Sequence, residues 1–335
     1  MLTGLVGQAV RSRGRHVTEE LPFFVYGTLK PGQLAYRQVE ALVESTVEAE
    51  LHGYELLVRD GLPGIRKVPY GAHVEGVVLF PNATGRDEFL KVVARFEPTK
   101  DLYTRPEPVT VETDDGPIQV LTHLMKSPGK SHAGLAFEGS AWGLADDPLF
   151  AVALPVIREQ ILALHSGGSP DSDSPEFWRA FLPMQGLLLS LCGILERYLT
   201  LTYGIPDDPR RKSSPEVSQG NSINSQLTAL GASSEGMAAV KQCGIAPVEV
   251  YGSKTLDKIS AKEAKAWAGW YAVRSNAVHR GKAAHRDLPL VTQSVFGLHN
   301  SLRLLLAGQL PELKGRWARV DETPDYLLEL LDWVF

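Results

Sequence analysis

The hydrophobic period of this chain changes once, and that change limits the folds open to it. Apolar residues alternate up to Ile118, Val120 and Leu121, and Lys126-Ser127-Pro128-Gly129-Lys130 then breaks the pattern. Alternation is the period of strands, whose side chains point to opposite faces. Beyond the break the apolar residues recur at helical spacing. At 335 residues the chain is long for one domain, and two modules are expected. The fold class is therefore read as α+β: a tail over 1–21 expected to be mobile, a strand-bearing module over 22–130, a connecting helix and linker over 131–174, and an all-α module over 175–335.

Charge and cysteine content exclude several function classes. The balance of 34 Lys plus Arg against 39 Asp plus Glu gives a formal charge of -5, which argues against a surface that traps polyanions everywhere, although local basic patches remain possible. Cys192 and Cys243 are the two cysteines; with no CxxC pair and no Cys/His ligand spacing, neither a disulfide framework nor a metal site is indicated, and no cofactor is called for. The first twenty residues mix Arg11, Arg13 and Arg15 with Glu19 and Glu20 and lack the apolar core of a signal sequence. The most apolar stretch, Phe181 to Leu195, is short for a membrane span and is closed by Glu196-Arg197. A cytoplasmic protein without a membrane anchor is the expectation.

The first module carries one segment with evident chemistry, Val25-Tyr26-Gly27-Thr28-Leu29-Lys30-Pro31-Gly32. Phe23, Phe24 and Val25 read as the end of a buried strand. Gly27 and Gly32 permit positive φ and close approach, so successive N–H groups can point into one concavity suited to a carboxylate or another anion. A Pro-Gly turn between two strands is the plainer alternative. Phe96-Glu97 follows later, and the apolar Phe89, Leu90, Val92 and Val93 before it make a partly buried Glu97 with a raised pKa plausible. The alternative there is a solvated carboxylate at a helix end.

Together with Leu51-His52-Gly53-Tyr54-Glu55-Leu56, a turn at Gly61-Leu62-Pro63-Gly64, Val74-Glu75-Gly76-Val77-Val78 and Tyr103-Thr104-Arg105 before Pro108-Val109-Thr110-Val111, this order of motifs resembles the gamma-glutamylcyclotransferase-like (AIG2-like) family over about residues 22 to 126. The resemblance implies a small mixed β-barrel with flanking helices. It implies that Tyr26, Gly27, Thr28 and Leu29, with Tyr103, bind the amino-acid end of a γ-glutamyl compound and that Glu97 transfers the proton. The substrate's own α-amine would attack its γ-carbonyl, closing 5-oxoproline and releasing an amine. Pro98 departs from the family, in which glycine usually follows the glutamate, and it stiffens that turn.

The second module reads as helices over Phe150 to Leu164, Glu176 to about Thr202, Ala261 to Gly281 and Leu288 to Leu306, with an exposed connection from His165 to Pro175. Glu176 to Thr202 is apolar almost all round, as in the central helix of a bundle or of a dimer. Ser260 with Glu263 has the pattern of a capping box. Arg210-Arg211-Lys212 reads as a solvated loop, and Asp325 to Phe335 as an amphipathic helix able to dock on the bundle or a partner. His52, His73 and His299 are ordinary surface or core residues.

Arg274, Ser275 and His279, in Trp270-Tyr271-Ala272-Val273-Arg274-Ser275-Asn276-Ala277-Val278-His279-Arg280-Gly281, resemble the motif of the HEPN superfamily of helical bundles. The resemblance implies a homodimer and a metal-independent endoribonuclease, with a phage-defence or toxin role. Arg274 and His279 would be catalytic, Asn276 would orient the scissile phosphate, and Arg280, with Lys282, His285 and Arg286, would bind flanking phosphates. Five positions on a helix correspond to about 140° of rotation, so arginine's length must close the gap. The alternative is a helical domain that only brings subunits together beside a 5-oxoproline-forming cyclotransferase.

Overall fold

A computed structural model describes residues 21–59, 61–97, 102–126, 135–164, 175–204, 206, 222–251, 258–279 and 287–309. The chain divides into two compact units after Gly143.

The first unit is a closed barrel. Its strands run β1 (Phe23–Val25), β5 (His73–Pro81), β2 (Val43–His52), β6 (Glu107–Thr113) and β7 (Gly116–Thr122) in spatial order, and β7 returns to lie parallel to β1 at Leu121 and Phe23. A second sheet of β4 (Leu62–Lys67), β3 (Tyr54–Arg59) and β8 (Leu135–Ala136) completes the unit. Alternation sorts the side chains: Ala49 and Leu51 of β2 are buried while Glu48, Glu50 and His52 between them are exposed. Phe24, Leu51, Val78, Val111, Val120 and Trp142 fill the interior. Helix α1 (Arg86–Phe96) carries Asp87 and Glu88 in its first turn, where acidic groups favour the helix dipole, and buries Phe89, Val92 and Val93. The Phe89 ring meets that of Phe23 edge-on at 6.0 Å.

The second unit holds α2 (Leu154–Leu164), α3 (Pro175–Tyr203), α4 (Ile223–Ala232), α5 (Ser234–Gln242), a short hairpin of β9 (Val250–Tyr251) and β10 (Lys258–Ile259), α6 (Ala266–His279) and α7 (Asp287–Gln309). Helix α7 packs on α3, α5 and α6, burying Val295, Phe296, Leu298 and Leu302. His299 is also buried, its Nε2 donating to the Leu154 carbonyl at 3.2 Å, and burial pushes its pKa down to about 4, so the ring is a neutral core residue. Asp147 is buried against Arg197, at 3.2 Å, and caps the turn entering α2 through the Leu149 N–H at 3.0 Å.

Several expectations are corrected here. The chain beyond 130 is not all helical: β8 pairs with β3 and Trp142 lies in the barrel core. Pro63 and Gly64 belong to β4 rather than to a turn; β4 is an edge of its sheet, where a proline's missing N–H breaks no ladder. Ser260 and Glu263 do not form a capping box, because Ser260 immediately follows β10 and α6 begins after a 3-10 turn at Glu263–Lys265 with no side-chain cap. A capping box does open α4, formed by Ser222 with Ser225. Helix α3 is long and apolar enough to cross a membrane by length and composition, and nearly half of that stretch is buried inside the protein. The tail up to residue 20, the connection from 165 to 174, Arg210-Arg211-Lys212 and Asp325 to Phe335 lie outside the described residues.

Candidate active site

Strand β1 ends by delivering Tyr26 into the barrel, Glu97 is the C-cap of α1, and the chain leaving β7 passes through His123. The three meet. Tyr26 donates its hydroxyl to the His123 carbonyl at 3.0 Å. The His123 Nε2 lies 3.6 Å from Glu97 Oε2, with the His123 side chain 2% and the Glu97 side chain 14% exposed. The fourth wall is Tyr103, which bridges to Met125 and donates its hydroxyl to the Pro63 carbonyl at 2.7 Å. Its ring lies 6.3 Å from that of His123.

Electrostatics follow from that enclosure. Burial raises the Glu97 pKa to about 8, and Oε2 is buried without a hydrogen-bond partner among the described residues. The Tyr26 hydroxyl is held well above its ordinary value, first by burial, then by the neighbouring Glu97 and Tyr103. His123 is pushed down by burial, partly offset by its bond to the Thr104 carbonyl. That bond, at 2.7 Å to Nδ1, fixes the tautomer: a carbonyl only accepts, so Nδ1 carries the hydrogen and Nε2 presents a lone pair toward Glu97.

The loop after Tyr26 is shaped by two glycines for different reasons. Gly32 takes a φ of +81°. Gly27, expected to do the same, does not; a Cβ there would meet the Pro63 ring at 2.8 Å, so its requirement is close approach. Lys30 N–H bonds back to the Gly27 carbonyl at 3.2 Å, and Gln33 N–H to that of Lys30 at 3.0 Å. The N–H groups of Thr28 and Leu29 find no protein acceptor among the described residues, with Leu29 buried and Thr28 half-buried. A separate cavity of about 470 Å³ on this unit is lined by Lys30, Glu48, Glu50, Glu75, Glu112 and Asp114 among others, and neither Tyr26 nor Glu97 reaches it.

Residues 23–143 match the family described as gamma-glutamyl cyclotransferase, AIG2-like. This part of the chain is an AIG2-like gamma-glutamyl cyclotransferase domain. Among solved structures, YkqA from Bacillus subtilis is similar at 17% identity over 40% of this chain and 42% of that one, with a TM-score of 0.28. The chain thus spans well under half of YkqA's length. An uncharacterized protein from Pyrococcus horikoshii is similar at 18% identity over 36% of this chain and 88% of its own, TM-score 0.26. A gamma-glutamyl cyclotransferase is similar at 17% identity over 58% and 94%, TM-score 0.25. No curated protein matches. Nothing in these comparisons shows a HEPN domain in the helical unit.

The AIG2-like domain therefore brings together Tyr26, Gly27, Thr28, Leu29, Glu97 and Tyr103. His123, which sequence reasoning did not single out, joins them because β7 closes the barrel beside β1; no local motif marks it.

The candidates of the helical unit are arranged differently. Arg274 donates through Nη1 to the Tyr271 hydroxyl at 3.2 Å, lies over that ring at 5.4 Å, and has Nη2 3.8 Å from Glu196 Oε1, to which Tyr271 also donates. Burial, and then the bond to Glu196, push the Tyr271 hydroxyl well above its ordinary value. Asn276 donates to the Tyr251 carbonyl at 3.0 Å, tying α6 to β9. Ser275 is half-buried on the same helix. His279 ends α6; its side chain, and Arg280, Lys282, His285 and Arg286, lie outside the described residues.

Proposed function

We propose that the AIG2-like domain is a cyclotransferase that converts a γ-glutamyl amine or peptide into 5-oxoproline and a free amine. The observation that carries this reading is Glu97: a carboxyl whose buried Oε2 has no hydrogen-bond partner among the described residues and whose pKa of about 8 suits a group that takes and returns a proton near neutrality. In this reading the Thr28 and Leu29 N–H groups receive the substrate's α-carboxylate, with Tyr26 and Tyr103 as walls. That pose sets the α-nitrogen against Glu97. Once it has lost a proton to Glu97, the nitrogen attacks the γ-carbonyl carbon of the same molecule, an intramolecular step that gains from holding both ends in place. Two protons in all leave this nitrogen as it becomes the ring amide, and two reach the departing nitrogen, which leaves as an ammonium. A panel of γ-glutamyl amines and dipeptides tests the reading: 5-oxoproline release by wild type and none by Glu97→Gln supports it, and no release by wild type across the panel reduces the domain to a binding module.

A second reading concerns the helical unit: a cytoplasmic homodimer cutting RNA without metal through Arg274 and His279, in growth arrest or phage defence. It is favoured by the exposed apolar residues Trp178, Leu182 and Leu189 along α3, a face suited to a second copy of the chain. Cleavage of cellular RNA in EDTA by wild type but not by His279→Ala would support it. A Leu182→Glu variant that leaves the mass in solution unchanged would remove the dimer.

A further inference from the structure

Cyclisation of a γ-glutamyl amide has a proton inventory that a single carboxylate serves awkwardly. The α-nitrogen enters as an ammonium with three hydrogens and leaves as a ring amide with one, while the departing nitrogen goes from one hydrogen to three. Two protons must cross, and a carboxylate holds one at a time. Among the described residues, one further group beside Glu97 is free to take up a proton: the His123 Nε2, its lone pair turned toward Glu97 Oε2 at 3.6 Å because Nδ1 is committed to the Thr104 carbonyl. The two described hydroxyls of this site are spent on backbone carbonyls, Tyr26 on that of His123 and Tyr103 on that of Pro63.

We propose that His123 holds the second proton of the cyclotransferase reaction, acting through Glu97 rather than on the substrate; this rests on the cyclotransferase reading above. The ammonium gives its first proton to the Glu97 carboxylate, which passes it to His123 Nε2 and is free again. The neutral amine attacks the γ-carbonyl carbon, forming the ring C–N bond as the carbonyl π pair moves onto oxygen. Glu97 takes the second proton from the ring nitrogen and delivers it to the departing nitrogen as that C–N bond breaks and the carbonyl re-forms. The first proton returns from His123 through Glu97 to the freed amine, which leaves as an ammonium. Glu97 and His123 end as they began. Throughout, Nδ1 keeps its hydrogen, donated to the Thr104 carbonyl, so the imidazolium needs no ring rotation.

The test uses the whole protein as wild type, Glu97→Gln, His123→Gln and His123→Phe, with γ-glutamyl-n-butylamine and γ-glutamyl-p-nitroanilide. His123→Gln is expected to lower kcat for the alkylamine substrate at least about tenfold with KM little changed. The p-nitroanilide, whose departing nitrogen is far less basic, is expected to suffer less. Unchanged kcat and pH profile in His123→Gln would overturn the proposal. A second readout is independent of turnover: the imidazole ¹⁵N shift of His123 is expected to step as Glu97 ionises around pH 8 and to lose that step in Glu97→Gln, because Nε2 faces Oε2. A wild-type His123 signal without that step also overturns it. The step without 5-oxoproline from wild type would instead sink the cyclotransferase reading and leave the coupled pair standing.

Discussion

The two units place their chemical residues by opposite means. In the barrel, Tyr26, Glu97, Tyr103 and His123 come from four separate stretches of chain and meet because β7 closes against β1. In the helical unit, Arg274, Ser275 and Asn276 are neighbours on one helix, and Arg274 and Asn276 are bound to their surroundings, Glu196 and Tyr271 for the one and Tyr251 for the other. Enclosure changes what a side chain is. Glu97 and the arginine-bound Glu196 are the same residue type, yet the first is pushed to about pH 8 by burial and the second stands a third exposed beside its cation. A closed barrel creates an environment; an open helix face displays a sequence.

That contrast can be tested at its strongest point by removing the enclosed carboxylate. Glu97→Gln is expected to reduce 5-oxoproline release by about 10²–10⁴-fold, measured as product formed per enzyme. The same variant has a stability signature. The folded pKa, about 8, lies above the ordinary glutamate value of 4.5, so the folded protein holds a proton that the unfolded chain releases. This contribution therefore falls as pH rises from about 5 to about 8 and is flat beyond. Denaturation of wild type and Glu97→Gln across that range should show the variant gaining on wild type as pH increases.

Next in size is a control inside the helical unit, where one buried pair does exist. Arg197→Ala strips the partner from Asp147, whose side chain is 1% exposed, and is expected to cost about 3–5 kcal/mol in urea denaturation. Tyr26→Phe deletes the donor to the buried His123 carbonyl and is expected to cost about 1–3 kcal/mol by the same measurement, with a loss of cyclotransferase activity. The smallest effect is expected from Arg274→Ala: its pair with Glu196 is 37% exposed on both sides, and its loss should change stability by less than about 1 kcal/mol. A larger value would make the helix-face residues as structurally committed as those of the barrel and blur the distinction.

The parts of the fold legible in the sequence were those governed by local period. Phe23–Val25 reads as a strand end, α3 as a long apolar helix, and Glu97 as a carboxylate partly buried by the apolar residues before it. What long-range closure decides was not legible. His123 follows Thr122 without any motif, and its importance comes from a register that pairs Phe23 with Leu121. Strand β8 is two residues long and owes its conformation to β3. Pro63 and Gly64 carry the composition of a turn, and only the position of β4 at a sheet edge makes them strand. Helices α4 and α5, neither expected, are short and small-residue-rich, with an apolar spacing too brief to stand out.

Pro63 has a wider consequence. Its ring presses on Gly27 and its carbonyl receives Tyr103, so one residue of an edge strand props the loop and the opposite wall together. In evolutionary terms the positions are yoked: a lineage that placed any side chain at 27 would first have to shrink or shift residue 63, and in doing so would loosen Tyr103. Variation in this site is expected to arrive in such linked steps, while the outward-facing residues of β2 drift one at a time.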